Sequence, residues 1–290
     1  MATTIRNPIE WGWDQFKHAA DALDTIGRSW DHAEAREQVQ PGTLPIRRID
    51  VAAFRDIFRR AAADFGAYRT DVVFLCVIYP VIGLVLARFL FGYQLLPMLF
   101  PMASGFALIG PFAAIGLYEM SRQREMGRET TWVNALAVFR APNFGAILGL
   151  GLILVAVFLT WIATAYAIQT ATLGAEPPRS IPGFLNAVFT TPAGWAMIGI
   201  GIGAGLLFAV FAMSISVISF PLLLDRDIGL GTAIRTSVRA VAANPIPMAV
   251  WGLIVAGGLV LGSLPFFVGL IVVIPILGHA TWHLYRQIVP

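Results

Sequence analysis

Residues 144–168 read FGAILGLGLILVAVFLTWIATAYAI and contain no charged side chain. A helix needs about 20 apolar residues to cross the hydrocarbon core of a bilayer, and this run exceeds that. With no water to satisfy the amides, such a run crosses lipid only as a helix whose backbone bonds are internal. The same reading recurs at 72–91, 95–120, 195–224, 246–264 and 266–285. The expected fold is therefore all-α: a polytopic membrane helical bundle of six spans. The last two are joined by the short turn Ser263-Leu264-Pro265, which makes them antiparallel neighbours.

Composition agrees. Of 290 residues, 57% are hydrophobic and only 13% charged, too few charges to cover a soluble surface of this size. The net charge is +3, and every basic residue but Lys17 is arginine. Those arginines gather beside the apolar runs, where anionic headgroups rather than nucleic acid are the expected partner. Cys76 is the only cysteine, which excludes an internal disulfide and a cysteine-based metal site. Residues 1–71 show no early apolar run and no small-residue cleavage site, so the first span is expected to direct insertion. The chain divides into residues 1–45, an amphipathic helix (8–28) with a polar linker, and residues 46–290, the membrane domain.

Orientation follows from the loops. Counted by loop, eighteen of the twenty arginines and lysines fall on one side, leaving Arg88 and Arg179 on the other. Positive loops resist translocation, so both termini are expected in the cytoplasm.

Each odd-numbered span is preceded by an amphipathic segment, and these segments repeat. Phe54, Arg55, Phe58, Arg59, Ala62 and Ala63 match Ile234, Arg235, Val238, Arg239, Ala242 and Ala243 at an offset of 180 residues. A middle copy carries Trp132, Leu136 and Ala141. Asp64 aligns with Asn244, a short polar residue expected to end the helix in both copies. Gly105, Pro111, Tyr118 and Arg122 likewise match Gly269, Pro275, Trp282 and Arg286. The pattern predicts three parallel units of surface helix, span and span around an axis along the membrane normal.

Candidate chemistry is sparse. Gly199, Gly201, Gly203 and Gly205 lie in apolar surroundings with no strand before them, so they read as helix-packing positions rather than a phosphate loop. Gly145 with Gly149 and Gly258 with Gly262 repeat that spacing. His279 and His283, four apart, share one helix face at the cytoplasmic end of the last span. That spacing can ligate a metal or haem iron, but no third ligand is identifiable, and interfacial anchoring with Trp282 and Tyr285 accounts for the pair. Glu119 ends the second span beside Arg122 and Arg124, and Asp225, Arg226 and Asp227 end the fourth. The span centres hold no ionisable group, which argues against a charge-coupled transporter.

Four stretches carry a family resemblance. They are Arg47-Arg48-Ile49-Asp50 through Phe65, Gly110 to Glu119 with Ser121-Arg122, Phe220 to Asp227, and Gly278-His279-Ala280-Thr281-Trp282-His283-Leu284-Tyr285-Arg286. Over about residues 46–288 the chain resembles the bacterial integral membrane proteins called domain of unknown function 2189. The resemblance implies a bacterial inner-membrane location and no defined activity. Some members carry a cytochrome c oxidase label, yet a haem-copper subunit needs about six histidines in its spans, against four in this whole chain. An accessory role beside a respiratory complex is all that the label implies here.

The functional expectation is a non-enzymatic scaffold or accessory factor, without a cofactor, that binds membrane lipids or a membrane protein partner. Arg55, Arg59, Arg122, Arg124, Arg235, Arg239 and Arg286 are the expected contacts to headgroups or partner. His279, Trp282, His283 and Glu119 form the motif of further interest. The alternative is a carrier or channel for small neutral or amphiphilic molecules, for which a cavity between the repeats is the expected mark.

Overall fold

A computed structural model describes residues 44–67, 98–128, 143–174, 180–265 and 267–290, with Val81, Val85 and Arg88. The amphipathic helix and linker expected at the start of the chain, the first span apart from those three residues, and the middle surface helix lie outside these residues. Among the described residues the structure is helical, without strands.

The surface helices follow from their periodicity. α1 (Ala53–Ala67) buries Phe54, Ile57, Ala61 and Asp64, spaced three and four apart as one helix face, and leaves Arg55, Arg59 and Arg60 exposed. Phe54 stacks on Trp251 with ring centroids 6.0 Å apart and planes 10° from parallel, and Phe58 meets the same indole at 6.1 Å. The copy expected at an offset of 180 is α8 (Leu230–Ala243). It buries Ala233, Thr236, Ser237 and Ala240, and Val238 is left 43% exposed. Ser237 Oγ accepts from the Ile218 amide at 3.2 Å, so small residues there let two backbones approach.

Among the described residues, three helices are long and apolar enough to cross a membrane, where six spans are expected from the whole sequence. They are α4 (Phe144–Leu173), the rod Pro192–Asp225 made of α6 (Pro192–Ser216) and α7 (Ser219–Asp225), and α9 (Pro245–Ser263). Each shortfall among the described residues has a local cause. The second expected span is divided into α2 (Leu99–Ala113) and α3 (Ile115–Glu125) by Ala114, at φ −84° and ψ −1°. Pro111, three residues earlier, supplies no amide hydrogen and crowds the preceding turn. The sixth span begins late, as α10 (Leu270–Ile288), because the chain turns through Phe267 at φ 66° before the helix starts. Its second half then carries His279, His283 and Arg286, which lower its hydropathy. A short helix, α5 (Ile181–Thr190), caps the opposite end of the rod. Ser180 accepts from the Gly183 amide at its start, and Thr191 from the Gly194 amide at the start of α6.

Two kinds of surface result. Leu207 and Leu253 are each 73% exposed, and Ile202, Leu206, Val260 and Leu261 stand out beside them. So much exposed apolar surface belongs against lipid. The core lies at the other end, where Trp282, Tyr118, Tyr285, Phe220, Leu222 and Leu223 are almost fully buried. The glycine expectation is met at Gly205, Gly258 and Gly262, where an added Cβ would touch Trp161, Val273 and Leu270. At Gly199, Gly201 and Gly203 no neighbouring atom among the described residues lies within 4 Å.

Candidate functional site

The polar interior is built where α1, α3, α7 and α10 meet. Asp64 is its centre, 5% exposed although it carries a charge. A buried carboxylate needs partners, and here it has three. Ser121 Oγ donates to Asp64 Oδ2 at 2.6 Å, His283 Nε2 lies 2.9 Å from the same oxygen, and Arg124 Nη1 donates to Oδ1 at 2.7 Å. Burial alone would raise the pKa of this carboxyl. The hydrogen bonds from His283 and Ser121, with the nearby histidine charge, hold it below the usual 3.8 instead.

Ser121 Oγ also lies 2.8 Å from His279 Nδ1. A hydroxyl has one proton. Given to Asp64, it makes the imidazole Nδ1 the donor to Ser121. His279 Nε2 is buried and finds no hydrogen-bond partner among the described residues, as does Trp282 Nε1. The order His–Ser–Asp differs from a hydrolytic triad, where the imidazole stands between the other two and the hydroxyl faces substrate. Ser121 is fully buried, and its hydroxyl is a structural bridge.

Beside this cluster, Asp225 takes a place between two equivalent arginines. Arg122 Nε lies 3.5 Å from one of its oxygens and Arg286 Nη1 lies 3.4 Å from the other, which also accepts from the Tyr285 hydroxyl at 2.7 Å. The Arg122 contact is an ion pair whose geometry leaves the Nε proton unsatisfied. Glu119, 4% exposed, holds Arg122 Nη1 at 3.3 Å and accepts from Gln123. Glu125 meets Arg286 Nε at 3.2 Å and lies 3.7 Å from His283 Nδ1.

Asn244 occupies the place that corresponds to Asp64 in the last unit, and Asn143 lies one residue past it in the middle unit. Asn143 Nδ2 donates to the Leu223 and Arg226 carbonyls at 3.1 and 2.7 Å. Asn244 Oδ1 accepts from the Ile49 amide at 2.8 Å, while its Nδ2 donates to the Arg47 and Ala240 carbonyls. Each of the three residues holds a segment distant in the chain, and the third returns to the first. The order is cyclic: Asp64 to Ser121 and Arg124, Asn143 to Leu223 and Arg226, Asn244 to Arg47 and Ile49.

The expected residues therefore divide. His279, Trp282, His283 and Glu119 are brought together and buried; the rings of the two histidines face Ser121 and Asp64. No group of three His, Cys, Asp or Glu among the described residues is placed to hold a metal ion. Arg122, Arg124 and Arg286, expected to contact headgroups or a partner, are directed to carboxylates of the protein itself. Arg55, Arg59, Arg235 and Arg239 are exposed on α1 and α8; Arg59 pairs with Asp56 on its own helix. Asp64 does not end its helix as expected, since α1 continues to Ala67, whereas Asn244 does end α8. The overlooked signal was its register. Positions 54, 57, 61 and 64 form one face, and a carboxylate on an apolar face calls for buried partners.

No curated protein and no solved structure matches the chain. Residues 98–225 match the family described as predicted integral membrane protein (DUF2189). That span covers α2 to α7 and leaves the Gly278–Arg286 motif outside. The resemblance read from the sequence is met by this match over residues 98–225.

Proposed function

We propose that the protein is a non-enzymatic scaffold or accessory factor of the bacterial inner membrane. In this reading both termini lie in the cytoplasm, and the divided α2–α3 and the polar α10 complete spans beside the three continuous ones. Arginines on α1 and α8 then contact anionic lipid headgroups or a partner protein.

One observation carries the reading: Arg55, Arg59 and Arg239 face outward on helices whose other faces are buried, while the inner charges are matched among themselves. Outward guanidinium groups above an apolar belt suit phosphates at a membrane surface. The closely packed core of Trp282, Tyr118, Tyr285 and Phe220 weighs against an open passage for solutes at this end of the bundle.

Affinity purification of the full chain in mild detergent, followed by mass spectrometry, tests the proposal. Recovery of anionic lipid or a stoichiometric protein partner is expected, and recovery of bare monomer alone would overturn it. Solute uptake into proteoliposomes would move the reading to a carrier.

A further inference from the structure

The segment Leu44–Asp50 is not helical, yet it is firmly placed. The Arg47 amide donates to the Ile288 carbonyl at 2.8 Å, and Asn244 grips the Arg47 carbonyl and the Ile49 amide. Held this way, the segment forms one wall of a half-open cavity of about 480 Å³, whose other walls are the start of α1 and the end of α10. That volume lies within the range of small-molecule sites.

Its lining is strongly cationic. Arg47, Arg48, Arg60 and Arg286 face it with His283 and Gln287, against a single carboxylate, Asp50. Arg60 is paired with Asp56, and Arg286 with Glu125 and Asp225. Arg47 and Arg48 have no carboxylate partner among the described residues, although both are exposed. Adjacent guanidinium groups with open donors, on a backbone held rigid, match the oxygens of a phosphoryl group.

We infer that this cavity is a binding site for a phosphoryl-bearing anion, either the headgroup of an anionic phospholipid or a soluble phosphate ester. The site is separate from the outward arginines of α1 and α8 and stands whether or not those touch the membrane. Tetrahedral oxygens are held between Arg47 and Arg48, Gln287 offers a neutral donor, and the remaining volume accommodates the group esterified to the phosphate.

The full chain in a zwitterionic detergent, at low ionic strength, is titrated with inorganic phosphate, sn-glycerol 3-phosphate and short-chain phosphatidic acid, with binding read by calorimetry. Binding in at least one series is expected, and the double variant Arg47→Ala/Arg48→Ala should weaken it by about tenfold or more, given the loss of charge-assisted hydrogen bonds. Saturation by phosphatidic acid alone identifies a lipid headgroup; equal affinity for glycerol 3-phosphate identifies a soluble ester. Both exposed arginines can be truncated without opening the core, and an unchanged melting profile confirms that the variant is folded. Arg128→Ala, which removes an exposed arginine outside the cavity, should leave the binding unchanged. Failure of all three probes to bind, or equal loss in the Arg47/Arg48 variant and Arg128→Ala, would overturn the inference. Loss of co-purified lipid in Arg55→Ala/Arg59→Ala alone concerns the proposed surface contact and leaves the cavity untouched.

Discussion

Asp64 and Asn244 hold corresponding places in the chain, 180 residues apart, and they fasten the molecule by different means. Asn244 is a neutral amide: it satisfies backbone groups at Arg47, Ile49 and Ala240 and needs nothing further. Asp64 is a charge, and burying it draws in Ser121, Arg124 and His283 directly and His279 through Ser121. A neutral clasp is complete with main-chain partners, while a charged one is only as stable as the set of side chains assembled around it. The two histidines of the family-like motif at the end of α10 are explained by that need.

The contrast can be broken most severely by Asp64→Ala. The substitution strands a guanidinium and two imidazoles against one another, and the loss expected in denaturant titration in detergent is about 3 kcal/mol or more. A loss no greater than that of an exposed substitution would show that the charge cluster does not hold α1.

Next comes the acid response. The folded Asp64 carboxyl binds its proton at lower pH than an unperturbed one, so its contribution is complete above about pH 4. It is lost as pH falls through the depressed folded value. Melting temperature against pH should fall steeply on this acid limb in the native chain and more gently in Asp64→Asn. Parallel curves would refute the assignment.

Asn244→Ala should cost less, about 1–3 kcal/mol for the unpaired backbone groups at Arg47 and Ile49, with no added pH dependence. A cost matching that of Asp64→Ala would erase the distinction between the two clasps. Smallest of all is Arg59→Ala. Its side chain is 78% exposed and pairs only within α1, so the unfolding midpoint should not move.

How much of this was legible in the sequence depends on which interactions are local. The run at 144–168 became α4 and the run at 246–264 became α9, because apolar length and flanking Pro and Asn are properties of neighbouring residues. Pro111 was in plain view, but a proline does not say where along its helix the division falls, and the break lies three residues on, at Ala114. The pairing of His279 and His283 could be read from their spacing. Their partners could not, since Asp64 and Ser121 stand more than 150 residues away and no sequence period links them. In sequence the arginines form one class, while the structure sorts them by what faces them: carboxylates for Arg122, Arg124 and Arg286, open surroundings for Arg55 and Arg239.

The clasp from Asn244 back to Arg47 and Ile49 joins residues 195 to 197 positions apart, and His283 reaches Asp64 across 219. During synthesis the early helix therefore emerges long before the strands of polypeptide that will cover it exist. Until the ribosome has delivered α9 with Trp251 and then α10, the face of Phe54, Ile57 and Ala61 lacks these covers, and the membrane interface is the natural waiting place for it. Final closure is thus a post-insertion event, and a nascent chain halted before α10 should expose Asp64 to reagents that the finished molecule excludes.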